Sequence, residues 1–144
     1  MYWLGSTYNF QEGVLGTTDF NCMMDLQALH VLFKSEVEMH VIPVNVAVKM
    51  EFDYEKTSAQ LKDKHPLTDF LINRWDDHLD GSRKNRIIWD LALIEAIIHP
   101  EWAEEVSIKT SKDYGNKIVG YYKNIDPVKM QSDFFEQLLN FLNK

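Results

Sequence analysis

A single cysteine, Cys22, rules out an internal disulfide. No signal-peptide-like segment is present, and no apolar run approaches the roughly 20 residues of a membrane-spanning helix. These absences read as a cytoplasmic protein with no membrane partner. Lys and Arg number 15 against 22 Asp and Glu, a formal net charge of -7, and the basic residues are scattered. A polyanion is held by clustered positive charge, so a nucleic-acid partner is not expected. There is no Gly-x-Ser-x-Gly elbow, no phosphate loop and no Cys/His nucleophile pattern, which sets those enzyme classes aside. The histidines His30, His40, His65, His78 and His99 lack metal-ligand spacing and read as surface or core residues. His78 alone stays in reserve, because its helix runs just ahead of a candidate site segment. No internal repeat or low-complexity segment occurs.

With 144 residues, 45% hydrophobic and 26% charged, the chain suits one core and is short for two. Residues 1–144 are therefore read as one domain. Short strand-like and longer helix-like apolar patterns alternate, which is the rhythm of an α/β fold. Residues 1–4 open inside a β pattern, giving the expectation that part of the sheet precedes them. Residues 5–18, rich in Gly, Thr and Asn, read as a loop. Asp25 is placed to cap a helix reaching Ser35, with Leu26, Leu29, Leu32 and Phe33 on its apolar face. Residues 39–46 form a nearly continuous apolar strand, as expected of one covered on both faces. Residues 49–64 are polar and less regular. Pro66 opens a helix to about Leu79, with Leu67, Phe70, Leu71, Arg74 and Trp75 at helical spacing and Gly81 as its stop. A helix over 90–99 is apolar almost all round, interrupted only by Glu95, which predicts deep burial. Residues 106–109 and 118–123 read as a hairpin around Tyr114-Gly115-Asn116. A last helix over 128–142 brings Phe134, Phe135, Leu138, Leu139 and Leu142 to the core, where Trp75 and Trp102 are also expected.

Candidate chemistry lies in two places. Thr18-Asp19-Phe20-Asn21 sets an acid, an aromatic and an amide just ahead of an apolar helix, and Ile87-Ile88-Trp89-Asp90-Leu91-Ala92 opens a second apolar helix with a second acid. With their surroundings these segments resemble the nucleoside hydrolase family, the calcium-dependent N-ribohydrolases. The family's ribose loop reads Glu-Phe-Asn, a short spacer, then Asp-Pro-Glu-Ala-Ala. Here stand Asp19-Phe20-Asn21, then Asp25-Leu26-Gln27-Ala28-Leu29. Val41-Ile42-Pro43-Val44-Asn45-Val46 is similar to the family's next strand, and Trp89-Asp90 to its late His-Asp pair. His99-Pro100-Glu101 is similar to the Asp-Pro-Glu that ends the following helix, and Trp3-Leu4-Gly5-Ser6 to the strand ending in Gly-Gly ahead of the ribose loop. The resemblance covers nearly the whole chain but only the second half of the family. The family's opening Asp-rich loop, roughly Asp-x-Asp-x-Gly-x-Asp-Asp, which holds calcium and supplies the water-activating base, has no counterpart in residues 1–144.

The resemblance implies an open α/β sheet flanked by helices, equivalent to the C-terminal portion of the family fold, and hydrolysis of the N-glycosidic bond of ribonucleosides. Asp19 stands where the family's Glu binds a ribose hydroxyl, Asn21 where its amide does the same, and Asp90 where an Asp bridges calcium and ribose. A further ribose-binding Asn is replaced by Gly13, with Asn9 the nearest amide. Trp89 replaces the His that protonates the leaving base; an indole N–H only donates a hydrogen bond, so Trp89 reads as a pocket wall. Ca²⁺ is the implied cofactor, but it takes six to eight oxygens and Asp90 is its single family-matched ligand here. The isolated chain is therefore expected to be inactive, with no catalytic residue assigned, and to need an N-terminal half as partner. The alternative is a non-catalytic remnant acting as a binding or homo-oligomeric scaffold. The plainest reading is a small α/β ligand-binding domain in which Asp19 and Asn21 form a turn, Asp90 caps a helix and Trp89 packs in the core.

Overall fold

A computed structural model of the protein describes residues 1–77 and 84–144. His78, the expected helix end at Leu79 and its Gly81 stop lie outside those residues. In chain order the elements are β1 (Tyr2–Leu4), β2 (Thr7–Asn9), β3 (Val14–Gly16), α1 (Phe20–Met24), α2 (Leu26–Lys34), β4 (His40–Ile42), α3 (Val44–Ala47) and β5 (Glu51–Asp53). They continue as α4 (Tyr54–Leu61), α5 (Pro66–Asp76), β6 (Asn85–Ile87), α6 (Trp89–Ile98), β7 (Ala103–Lys109), β8 (Ile118–Ile125) and α7 (Pro127–Leu142). The fold is α/β. Its main sheet has the order β1-β4-β8-β7. β1, β4 and β8 are parallel, with Leu4 opposite Ile42 and Val41 opposite Tyr121, and β7 closes the edge antiparallel to β8.

Successive side chains of a strand point to opposite faces, and two core clusters follow from that alternation. Val41, Val119 and Tyr121 pack with Leu29 and Phe33 of α2 on one face, whereas Leu4, Ile42 and Tyr122 pack with α3, α6 and Met130 of α7 on the other. β4 is central, and Val41 and Ile42 are fully buried, as a strand covered on both sides should be.

The strand read over 39–46 stops at Ile42. Pro43 has no N–H for the ladder; it sits in extended backbone as the N-cap of α3, and the Val44 N–H bonds the Ser6 carbonyl at 2.8 Å. The stretch read as a loop over 5–18 contains the β2–β3 hairpin, in which Tyr8 faces Leu15. Strands of three residues are too short for alternation to register in the sequence. The polar stretch 49–64 holds β5 and α4, and β5 pairs antiparallel with β6. The hairpin read around Gly115 is present as β7–β8, with Gly115 and Asn116 at positive φ in the turn.

Two helices present other faces than their patterns suggested. α6 buries Leu91, Ala92, Glu95 and Ala96 and exposes Ile94, Ile97 and Ile98, so it is not deeply buried all round. α5 buries Thr68 and Ile72 and leaves Leu67, Phe70 and Leu71 exposed. Trp75 and Trp102 are half-buried, packed against the core rather than within it. Among the described residues, no helix is long and apolar enough to cross a membrane.

Candidate functional site

A pocket of about 400 Å³ opens at the carboxyl ends of the parallel strands β1 and β4, lined by Leu4, Asp19, Phe20, Asn21, Val44, Trp89 and Asp90. This is the end of an open α/β sheet where ligands ordinarily sit. All four residues singled out in the sequence, Asp19, Asn21, Trp89 and Asp90, reach it from segments some 70 positions apart. Leu4, Phe20 and Val44 complete the wall. Their part follows from strand ends and helix starts, which apolar periodicity alone does not fix.

Asp19 is the N-cap of α1. Its Oδ1 accepts from the backbone N–H of Asn21 at 3.1 Å and of Cys22 at 3.2 Å, satisfying two donors that a helix start leaves open. The structural reading of Asp19 as a backbone-binding residue thus holds for one oxygen. Its other oxygen, Oδ2, is buried and meets no hydrogen-bond partner among the described residues. A carboxylate oxygen without a strong donor is costly to bury, and only the weak Cys22 thiol lies beside this carboxylate, so Oδ2 keeps acceptor capacity for a ligand. Beneath it lies the Cys22 thiol, fully buried; burial first, and the Asp19 carboxylate second, push that thiol up to about 12.

Asn21 is fixed by its amide nitrogen, which donates to the Leu4 carbonyl at 2.9 Å. The side-chain oxygen is left as its second polar handle. Across the pocket, Asp90 sits in the first turn of α6 but does not cap it. The N-cap is Ile88, with no side-chain cap bond, and its own N–H is held by the Met50 carbonyl at 3.0 Å. The Asp90 carboxylate is exposed at the pocket instead of folding back on the helix. The leading N–H groups of α6 therefore keep their donor capacity, and the helix dipole favours the acid placed there. Trp89 is half-buried, with its ring packed on the core cluster of Leu4 and Ile42.

Two carboxylates, an amide oxygen and an indole wall make a site rich in acceptors. It suits a neutral, polyhydroxylated ligand whose O–H groups donate, and it disfavours an anion. Calcium is a different matter. Among the described residues that line the pocket only Asp19 and Asp90 carry carboxylates, Asp19 spends one oxygen on its helix, and Ca²⁺ takes six to eight oxygen ligands. The residues present do not fit a calcium ion.

A search of protein-family models and a search of curated proteins each find no match to this chain.

A second polar group, away from the pocket, was not legible as a site. His99, read as a surface or core histidine, lies with Glu95 and Asp133 so that one ligand atom from each falls within 4.8 Å of the others. The Glu95/His99 pair has i,i+4 spacing, but a carboxylate at that position reads as an interruption in an apolar helix. Its third member comes from a different helix, which no spacing rule reveals.

Proposed function

We propose that the pocket between α1 and α6 holds the sugar of a ribonucleoside or a ribose-like ligand, and that the protein carries the sugar-holding portion of a nucleoside hydrolase. What supports the reading is one observation: Asp19 and Asp90, distant in sequence and matched to ribose-binding positions by resemblance, line a single pocket. Asp19 Oδ2, the Asn21 side-chain oxygen and the Asp90 carboxylate accept from ribose hydroxyls, and Trp89 covers an apolar face of the sugar. Cleaving an N-glycosidic bond builds positive charge on the ribosyl ring, which carboxylates stabilise. Breaking the bond also needs an activated water and a proton for the leaving base. None of the pocket residues supplies these, so the chain by itself binds without turnover, and Ca²⁺-dependent hydrolysis requires oxygen donors from a partner half. The unpaired, buried Cys22 agrees with a cytoplasmic location.

Titrating ribose, inosine and uridine while following the Trp89 indole by NMR tests the proposal. Saturable shifts that vanish in Asp90→Asn are expected, and no shift with any of the three overturns it. A parallel assay with added Ca²⁺ is expected to show no hydrolysis; turnover by the pure chain would overturn the inactive reading.

A second role, as a non-catalytic homo-oligomeric scaffold, is favoured by the exposed Ile94, Ile97 and Ile98 of α6. Contiguous apolar side chains at a surface mark association.

A further inference from the structure

Toward the end of α6 away from the pocket, about 7 to 13 Å along the helix from Asp90, three side chains from two helices converge. Glu95 and His99 stand one turn apart on α6, on the same face. His99 closes that helix, its backbone N–H bonded to the Glu95 carbonyl at 2.8 Å. Asp133 comes from α7, which packs against α6. One ligand atom of each lies within 4.8 Å of the other two, and His99 Nε2 is 3.5 Å from Asp133 Oδ2.

Glu95 carries the argument. It is only 4% exposed, yet its Oε2 has no hydrogen-bond partner among the described residues. A buried carboxylate oxygen without a partner is costly unless something meets it. Its charged neighbours are Asp133, which worsens its position, and His99, which eases it; burial is the largest influence and, with Asp133, holds the carboxyl above its ordinary range. Among the described residues no donor meets Glu95 Oε2.

The surrounding bonds hold two of the three groups ready to meet a cation. His99 Nδ1 faces Glu101 Oε1 at 3.3 Å and Nε2 faces Asp133 Oδ2 at 3.5 Å, so a proton kept on Nδ1 by Glu101 lets Nε2 serve as the ligand atom once a cation displaces any proton there. Trp102 stacks on the imidazole with ring centroids 3.8 Å apart and an interplanar angle of 17°, fixing its plane. On Asp133, Oδ1 accepts from Gln137 Nε2 at 3.2 Å, so Oδ2 is the oxygen turned toward His99. Outer carboxylates and amides of this kind orient metal ligands. The His99 side chain is 25% exposed, which gives an ion an entry path.

We infer that Glu95, His99 and Asp133 form a binding site for a divalent transition-metal ion of the zinc class, separate from the sugar pocket. Two carboxylates and a neutral imidazole balance a 2+ charge. A nitrogen ligand beside two oxygens suits Zn²⁺, Co²⁺ or Mn²⁺ rather than Ca²⁺ or Mg²⁺, which take oxygen throughout. Bonds of about 2.0–2.2 Å need the three ligand atoms to close in slightly, which the side chains of Glu95 and Asp133 can do by rotation. Three protein ligands leave at least one coordination position for water.

Titration of the metal-free chain with Zn²⁺, followed by calorimetry, and with Co²⁺, followed by its visible absorption, tests the site. One ion per chain is expected, with a rise in thermal midpoint by mass action and no rise with Mg²⁺. Glu95→Gln and Asp133→Asn keep shape and hydrogen-bonding capacity, and each is expected to weaken binding more than about tenfold. Asp90→Asn is expected to leave it unchanged. Absence of saturable binding to the native chain overturns the inference, as does Zn²⁺ binding that survives in both Glu95→Gln and Asp133→Asn. Either variant failing to fold is recognised by circular dichroism, and His99→Gln then replaces it with the same expected loss.

Discussion

Asn21 donates its side-chain N–H to the carbonyl oxygen of Leu4 at 2.9 Å, joining the start of α1 to the last residue of β1. The bond holds the pocket floor to its wall. Replacing Asn21 by Ala strands the partly buried Leu4 carbonyl, at a cost of about 1–2 kcal/mol. Urea denaturation is expected to show that loss, together with weaker sugar binding. An unchanged denaturation midpoint would mean that water replaces the amide without penalty.

Capping and ligand binding by Asp19 are separable. Asp19→Ala removes the acceptor for the Asn21 and Cys22 amides and is expected to cost about 1 kcal/mol, whereas Asp19→Asn keeps an N-cap acceptor and nearly full stability. Both are expected to weaken ribose binding, because the unsatisfied Oδ2 is lost or becomes a donor. If Asp19→Asn binds as tightly as the native chain, Asp19 is a cap and nothing more.

The α/β class was legible because two amphipathic runs, α2 and α7, have strong helical periodicity and β8 is a long apolar strand. The pocket was legible because acids ahead of apolar helices mark helix starts at a sheet edge. Other features turn on tertiary context. Glu95 reads as the one interruption in a helix expected to be buried all round, but Glu95 itself is buried where α7 packs on α6, and the isoleucines around it face out. Pro43 ends β4 because the chain must turn there to bring the Val44 amide to Ser6, a pairing that no local pattern encodes. Asp90 has the sequence position of a cap, but the cap is Ile88, two residues earlier, its N–H held by the Met50 carbonyl.

The Cys22 thiol gives a pH signature. Its value rises from 9.0 to about 12 in the folded protein, chiefly through burial. Between those values the unfolded chain has lost the thiol proton that the folded chain keeps, so the unfolded state binds fewer protons and stability falls as pH rises. Below pH 9 the group contributes no slope. Cys22→Ala is expected to remove up to about 1.4 kcal/mol per pH unit of that alkaline decline, measured as the difference between the two stability profiles above pH 9. Parallel profiles in that range would contradict the buried thiol.

Ile94, Ile97 and Ile98 are 51%, 45% and 59% exposed on one helix. Light scattering is expected to report a dimer or larger species at micromolar concentration, and Ile97→Lys with Ile94→Lys to shift it to monomer while the circular dichroism spectrum is kept. A native chain that stays monomeric across that range removes the scaffold reading.

Gly120 faces His40 across β8 and β4 and Ser107 across β8 and β7. A Cβ there would overlap the Glu105 carboxylate, which bonds His40 Nδ1 at 2.6 Å, and would lie 3.2 Å from His40 Nδ1 itself. Glycine here leaves room for the Glu105–His40 bond, and its φ is not positive, so the constraint is space and not dihedral freedom. Gly120→Ala is therefore expected to displace Glu105 and break the His40 bond, at about 1–3 kcal/mol. Trimming the obstacle should rescue it: Glu105→Ala combined with Gly120→Ala is expected to cost less than the sum of the two single changes, a coupling read from a double-mutant cycle by denaturation. Strict additivity would show that Glu105 swings clear without loss, and that the bond across the three strands carries no weight in the sheet.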